Sequence, residues 1–146
     1  MTDGASTQLA ALGRRLRCVG RRMQGSVEAR IDALDISYTQ WNALRSIEGR
    51  GGCGTCTLAE DLSITAASMS RIVAGLEARG LVSRETACAT RQARLSLTPA
   101  GRAILREAAP IIAERMADAF ADLSPAEIAR FTRLLSKLAG SIEHRA

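Results

Sequence analysis

Four cysteines carry the most reactive side chains of this 146-residue chain. Cys53 and Cys56 form a Cys-Gly-Thr-Cys motif in a glycine-rich segment, while Cys18 and Cys88 lie apart from it. A Cys-x-x-Cys pair can be oxidised to a disulfide, or it can supply two of the four ligands that a structural zinc ion needs. The motif therefore raises two kinds of chemistry, thiol oxidation and metal binding.

Metal binding is disfavoured because two further ligands are missing. His144 is the only histidine and lies near the end of the chain, and no other cysteine has the paired spacing of a zinc site. An enzyme of the thioredoxin kind would place its Cys-x-x-Cys after a strand, and no strand is predicted there. We therefore expect no metal and no other cofactor, and a thiol oxidoreductase is the least favoured alternative.

Oxidation sensing is another use of these thiols. The positive end of the helix predicted after Cys56 would favour the thiolate of that residue, and the arginines next to Cys18 would favour a thiolate there. Oxidation of Cys18, Cys53 or Cys56 is therefore an alternative signal. The simpler interpretation, that the cysteines are reduced and incidental, also stays open.

The charge of the chain is basic and unevenly distributed. The formal net charge is +5, and every basic residue except Lys137 is an arginine. Six arginines fall between residues 71 and 102, where Glu77 and Glu85 are the only acids. This distribution suits a polyanionic partner such as double-stranded DNA.

Catalytic and membrane functions are disfavoured by what the sequence lacks. No catalytic triad, phosphate-binding loop or carboxylate pair is evident, so we predict that the chain is not an enzyme. No run of about 18 apolar residues predicts a membrane span, and the first residues lack the apolar stretch of a secretory signal. We expect a cytoplasmic protein without a membrane partner.

Helical periodicity predicts the first elements that position these side chains. An apolar seam that is spaced 3-4-3-4 from Leu9 to Met23 and continues to Leu34 predicts one long helix whose opposite face is rich in arginine. Its members are Leu9, Leu12, Leu16, Val19, Met23, Val27, Ile31 and Leu34. A second helix is predicted from Gln40 to about Glu48, with Thr39 as its N-cap and Trp41 facing inward. The glycines that follow predict a loop.

Two short helices after this loop have the spacing of a helix-turn-helix. The first is predicted over residues 57–62, opened by a capping box at Thr57. The second is predicted to run from its N-cap Thr65 to Arg79, and Gly80 ends it.

The second half of the chain is predicted as a hairpin and two long helices. Alternating polar and apolar residues predict strands over 81–86 and 93–97. A helix then begins at Thr98-Pro99 and contains Pro110, and a capping box over 124–127 begins the last helix. The apolar face of the first is Ile104, Ala108, Ile111, Ile112 and Met116, and the seam of the second is Ile128, Phe131, Leu135, Leu138 and Ile142.

This order predicts a mainly α fold with a winged helix-turn-helix at its centre. Residues 37–98 would form the DNA-binding lobe, with three short helices and a β-hairpin wing. Residues 1–36 and 99–146 would form a helical dimerisation region, because their apolar seams exceed what one small lobe can cover. We therefore expect a homodimer.

The helix that follows Thr65 has one face suited to a major groove. Met69, Ile72, Val73 and Leu76 point to one side, and the other side is small and polar except for one arginine. We predict DNA contacts from this face, from the second helix and from the wing. The predicted contacts are Thr39, Gln40, Thr65, Ala67, Ser68, Ser70, Arg71, Arg84, Thr90, Arg91 and Arg94.

Two sequence runs resemble a known family. LAEDLSITAASMSRIVAGLEARGLVSRE and the following RQARLSLTPAG are similar to the MarR family of winged-helix regulators, and the resemblance spans nearly the whole chain. It implies a dimer built from the first and the last two helices, and a pocket for phenolic or aromatic-acid effectors. Ala89 lies where the wing of the family has an aspartate, so Arg91 lacks the carboxylate that would orient it.

The residues and the resemblance together predict how binding is controlled. A crevice between the first helix, the second helix and the base of the helix that follows Thr65, here called the reading helix, would hold a small aromatic acid. The carboxylate of this acid would bind Arg14, Arg15 and Arg17, and its ring would contact Trp41. Alternatively, these arginines form a solvated helix face and Trp41 belongs to the core. We predict a transcriptional regulator, a repressor that binds a palindromic operator as a homodimer and is released by this ligand or, alternatively, by cysteine oxidation.

Overall fold

The structure, a computed structural model, describes residues 3–86 and 93–143. Within them the chain follows the predicted order of elements. These are α1 (Asp3–Ile31), a 3-10 turn (Asp32–Leu34), α2 (Tyr38–Gly49), α3 (Thr55–Asp61), α4 (Ala66–Ala78), β1 (Val82–Thr86), β2 (Ala93–Leu97), α5 (Pro99–Ala119) and α6 (Pro125–Glu143). The predicted fold class, mainly α with a two-stranded wing, is confirmed.

α1 ends before Leu34, the last residue of its predicted seam, and the burial of the seam changes along the helix. The helix ends at Ile31, and Asp35 adopts a left-handed φ of +52° that turns the chain towards α2. Val27 and Ile31 are fully buried, whereas three side chains in the first half of the seam are more than half exposed and Leu16 is half-buried. These exposed side chains are Leu9, Leu12 and Val19.

α2 begins earlier than predicted because a different residue caps it. The Ser37 hydroxyl accepts from the Gln40 amide at 3.1 Å, and Gln40 Oε1 accepts from the Ser37 amide at 2.9 Å. This reciprocal capping box satisfies two backbone donors, so the helix starts at Tyr38. The assignment of Thr39 as the N-cap is wrong, since Thr39 lies inside the first turn.

α3 also begins earlier than predicted. It starts at Thr55, and its N-cap Gly54 makes no side-chain hydrogen bond, so the capping box predicted at Thr57 is wrong. Cys53 just before it forms a bridge with Leu95, with N···O distances of 3.2 and 2.8 Å in the two directions. The predicted loop therefore forms a backbone bridge to the wing sheet at Cys53, and α3 begins two residues later.

Two other predicted caps are confirmed. The Thr65 hydroxyl accepts from the Ser68 amide at 3.1 Å at the start of α4, and Gly80 follows that helix with φ +66°. Ser124 caps α6: its hydroxyl accepts from the Glu127 amide at 3.3 Å, and the Glu127 carboxylate accepts from the Ser124 amide at 2.8 Å.

Contacts divide the chain into two units, Met1–Ile112 and Ala113–Ala146. The largest fully buried side chains all lie in the first unit: Val27, Ile31, Leu44, Ile47, Leu58, Met69, Val73, Leu76 and Leu95. Leu105 also belongs to the core of this unit, although the sequence pattern placed Ile104 there, which is only half-buried. The functional division into a lobe over 37–98 and flanking dimerisation helices stays a prediction.

The second unit contains the end of α5 and the whole of α6. The predicted seam of α6 is open to solvent, with exposed fractions from 38% at Ile128 to 62% at Ile142. Leu134, at the edge of the seam, is 57% exposed. The apolar face of α6 is therefore exposed in the part of the chain that the structure describes.

The start of α5 closes against the turn that leads into the wing. β1 and β2 pair antiparallel, and Thr98 then donates from its hydroxyl to the Gly80 carbonyl at 2.6 Å and from its amide to the Leu81 carbonyl at 3.2 Å. Gly101 lies directly against this segment, so that a Cβ there would collide with the Leu81 carbonyl oxygen. Residues 80–82 and 97–101, which belong to the two runs that resemble the MarR family, therefore form the two sides of one contact.

We predict that Gly101→Ala lowers the free energy of unfolding by about 1–3 kcal/mol, because the backbone must shift to admit the methyl group. Gly75→Ala is the matched control, since a Cβ at this other helical glycine meets no atom within 4 Å in the described structure. It should raise stability by about 0.5–1 kcal/mol through helix propensity. Urea unfolding of both variants measures the difference, and equal effects would contradict the contact.

Candidate nucleic-acid interface

α3 and α4 form the predicted helix-turn-helix unit. The two helices contact each other, and the chain turns between them at Ser63, which has a φ of +52°. Leu58 and Ala59 are buried on α3. The buried residues of α4 are Met69, Val73 and Leu76, with Ile72 half-buried beside them. The predicted inward face of α4 is therefore confirmed.

The opposite face of α4 is exposed. Its members are Ala67, Ser68, Ser70, Arg71 and Ala74. No acidic residue occurs between residues 62 and 76, so Arg71 is the one charged group on this stretch. Small side chains let a helix backbone approach another surface closely, and serine and arginine offer hydrogen-bond donors to phosphates and base edges.

The first turn of α4 holds two of the predicted contacts in place. Thr65 Oγ1 accepts from the Ser68 amide and donates to Ser68 Oγ at 2.9 Å. Since Ser68 Oγ accepts this bond, its own hydrogen can be donated to an outside acceptor. The amide groups at the start of a helix add positive potential, which favours a phosphate.

Thr39 and Gln40 are placed apart from this face. Both are half-buried in the first turn of α2, and Gln40 Oε1 is already used by the cap. Gln40 lines a cavity of about 500 Å³ together with Arg79, the C-cap of α4. That position is at the opposite end of α4 from Ser68. DNA contacts by Thr39 and Gln40 stay predictions.

Both strand arginines predicted to contact DNA are engaged within the chain. Arg84 donates from Nε and Nη2 to the two carboxylate oxygens of Glu77, at 3.0 and 3.1 Å. Arg94 Nη2 donates to the Gly51 carbonyl at 2.8 Å. The sequence analysis did not identify Glu77 as the partner of Arg84, although both lie in the first run quoted above. The two residues are seven positions apart, and only the turn at Gly80 brings them together.

The wing-tip predictions fall on the segment between β1 and β2. Thr90 and Arg91 lie outside the described residues, as does Cys88. Their roles stay predictions.

A second ion pair connects α2 with α3. Arg50 donates from Nε and Nη2 to the two oxygens of Asp61, at 2.7 and 2.6 Å, and the Ser46 hydroxyl donates to the same carboxylate at 2.6 Å. These bonds to Arg50 and Ser46 hold the pKa of Asp61 below its usual value. A depressed carboxyl pKa contributes stability above the unfolded-state pKa, and this contribution is lost as the pH falls through the folded-state pKa. The pair is therefore charged at neutral pH, where it joins the end of α2 to the end of α3.

The predicted redox residues differ in environment. Cys18 and Cys56 are exposed thiols, and Cys53 is half-buried. Burial raises the pKa of Cys53, although Arg50 and Arg94 lower it in part. A raised pKa reduces the thiolate fraction at neutral pH, so Cys53 is a slower nucleophile than an ordinary cysteine. In the described residues, no cluster of His, Cys, Asp or Glu could hold a metal ion.

The predicted ligand residues are not brought together. Arg14, Arg15 and Arg17 are exposed, and Trp41 is buried. The Trp41 ring stacks on Tyr38, with centroids 5.9 Å apart, and the Arg45 guanidinium lies 5.4 Å from its centroid. Trp41 is therefore a core residue, as the alternative interpretation had it.

The cavity at the base of the reading helix has a different lining from the one predicted. It lies where α1, α2 and the end of α4 approach one another, as expected for the crevice. Its lining residues are Glu28, Asp32, Asp35, Ile36, Ser37, Gln40 and Arg79. Arg79 lies 3.5 Å from Asp35, so the cationic group of the cavity already faces an acid.

Comparison with known proteins places the chain in a family. Residues 36–87 match the model of the MarR family. A solved structure of a probable transcriptional regulator from Pseudomonas aeruginosa is 31% identical with a TM-score of 0.79, and the match covers 86% of this chain and 95% of that one. The chain belongs to the MarR family. The resemblance inferred from the sequence is confirmed, and with it the prediction of a transcriptional regulator rather than an enzyme.

Two further MarR-like relatives extend the comparison. An HTH-type transcriptional repressor of Mycobacterium tuberculosis is 28% identical over 130 residues, which cover 88% of this chain and 94% of the relative. The structure of BpsR from Bordetella bronchiseptica, whose DNA binding is regulated by 6-hydroxynicotinic acid, is 25% identical with a TM-score of 0.81 and covers 88% of this chain and 98% of that one. None of the described helices of the present MarR-family chain is long and apolar enough to cross a membrane.

Proposed function

We propose that this MarR-family protein is a cytoplasmic repressor that binds a palindromic operator as a homodimer and releases it when a small aromatic acid binds. The observation that carries the proposal is the outer face of α4, which is exposed, small and free of acidic groups around Arg71. A face of this kind admits the helix to a major groove, where Arg71 can reach a guanine edge or a phosphate. The name of the Mycobacterium tuberculosis relative supports the sign of regulation, repression.

Arg71→Ala tests the reading helix directly. If Arg71 reads a base, the substitution should weaken operator binding by about 1–3 kcal/mol, and binding to random DNA should change less. Arg106→Ala, which removes an exposed arginine from α5, is the matched control and should bind as the wild type does. Fluorescence anisotropy with operator and random duplexes gives the affinities. Equal losses of operator affinity in Arg71→Ala and Arg106→Ala would mean that Arg71 contributes only general charge attraction.

Dimerisation is proposed from the two exposed apolar seams. Leu9, Leu12 and Val19 on α1 are more than half exposed, and Leu135 and Leu138 on α6 are 40% and 43% exposed. Contiguous apolar surface of this kind is covered in water by another protein surface, and a second copy offers the same seams by symmetry. A two-fold dimer presents two α4 helices, and they would read half-sites about 34 Å apart.

Leu135→Glu combined with Leu138→Glu should convert the dimer into monomers or aggregates, because two charges would be buried in the seam. Ala129→Glu combined with Arg133→Glu adds glutamates to the opposite face of α6 and should leave the dimer intact. Light scattering at micromolar concentration should give twice the 15.5 kDa of one chain for the wild type and the control. A wild-type mass of one chain would refute the proposal.

Effector control is proposed from the cavity between α1, α2 and α4. A ligand releases DNA only if it binds the free conformation better than the DNA-bound one. The regulation of BpsR by 6-hydroxynicotinic acid supports an aromatic acid as the class of ligand. Arg79 is the group that would pair with its carboxylate, whereas Glu28, Asp32 and Asp35 oppose an anion. Arg14, Arg15 and Arg17 do not line this cavity.

A two-by-two experiment separates the effector from cysteine oxidation. We expect hydroxylated aromatic acids to release the operator from the wild type and from a variant with all four cysteines changed to serine. Arg79→Gln should blunt this response, and Arg14→Gln with Arg17→Gln should not. Peroxide should have no effect on either protein. Release by peroxide that disappears in the cysteine-free variant would favour the alternative signal.

A further inference from the structure

We infer that Arg84 and Arg94 are positioning residues that fix the wing to the rest of the lobe, an inference that rests on the proposed DNA binding. Their place on the strands suggested direct contact with DNA. Their partners within the chain point to another task, since each guanidinium joins one strand of the wing to one of the segments that carry the helix-turn-helix.

Arg84 joins β1 to the reading helix. Its Nε and Nη2 face the two oxygens of Glu77 at 3.0 and 3.1 Å, the parallel two-bond arrangement that gives an arginine–carboxylate pair its directionality. Glu77 is in the last turn of α4, and the chain reverses at Gly80 before β1 begins. The hydrogen bonds from Arg84 also lower the pKa of Glu77, so the carboxylate is charged at neutral pH.

Arg94 joins β2 to the loop before α3. Its Nη2 donates to the Gly51 carbonyl at 2.8 Å, and its side chain passes over Gly52, where a Cβ would lie 2.6 Å from Arg94 Nε. The next residue of each segment continues the contact, because Cys53 and Leu95 exchange backbone hydrogen bonds. The passage of the arginine over this loop accounts for a glycine at position 52, whose φ is +107°.

The two contacts hold the wing from both sides. A hairpin attached only by its two ends could swing relative to α4, and strands β1 and β2 would then lose a fixed orientation relative to the reading helix. If Arg84 contacted a phosphate directly, the phosphate would have to displace Glu77. If Arg84 stays paired with Glu77, the wing is already oriented before the protein meets the DNA. Preorganisation of this kind strengthens binding without a direct contact.

A double-mutant cycle on Glu77 and Arg84 tests the inference. Glu77→Gln and Arg84→Gln should each weaken operator binding by about three- to tenfold, and the double variant should be no weaker than the weaker single variant. The exchange Glu77→Arg with Arg84→Glu should restore most of the affinity. Hydroxyl-radical footprints should show loss of wing protection while protection by α4 persists, and thermal melting should show that all variants are folded.

The salt dependence of operator binding distinguishes the positioning role of Arg84 from a direct contact with a phosphate. A direct phosphate contact by Arg84 predicts that Arg84→Gln reduces the slope of log K against log salt by about 0.9 and that Glu77→Gln binds as well as the wild type or better. Either that result or wild-type affinity in all variants would overturn the positioning role. Arg94→Gln should likewise leave the slope unchanged. Failure of the proposed function itself looks different, since the wild type would then show no preference for any operator over random DNA.

Discussion

The burial of one face of α4 is the constraint on which the proposed interface depends. Met69, Val73 and Leu76 are fully buried, and each such side chain contributes about 1.5–3 kcal/mol when it leaves water. Because these three residues share one side of the helix, their burial fixes its rotation about its own axis. The face with Ser68 and Arg71 must then point outward, so the core determines which residues the surface offers.

Polar contacts can fix the orientation of α3 and of the wing, which the burial of apolar side chains alone does not define. The apolar effect is not directional, so it does not by itself set the angle of α3 or of the wing. Arg50 with Asp61, and Arg84 with Glu77, make two-bond pairs that are directional. Such exposed pairs add little to overall stability. The physical contribution expected of such pairs is therefore directional, as in the positioning role proposed for Arg84.

The sequence predicted the fold class, the order of elements and the two faces of α4, because periodicity reports burial directly. It did not predict which oxygen caps α2, since Ser37 and Thr39 are both suitable and only the path of the chain after Asp35 decides between them. It also missed the Cys53–Leu95 bridge, because a single bridging residue has no period. The partners of Arg84 and Arg94 within the chain were missed for a related reason: a sequence shows an arginine on a strand but not the group that folding brings next to it.

α1 connects the two surfaces that the proposed function needs. Its first half exposes Leu9, Leu12 and Val19, whereas Val27 near its end is fully buried in the first unit. Since one continuous helix carries both parts, a partner that holds the exposed half also determines the direction of the buried half. Glu28 follows Val27 and lines the cavity that Arg79 of α4 also lines. A ligand in this cavity would therefore act on the angle between α1 and α4, and in a two-fold dimer that angle sets the separation of the two reading helices. On the proposed palindromic operator, whose half-site spacing is fixed, a change of this angle would uncouple one α4 from its groove.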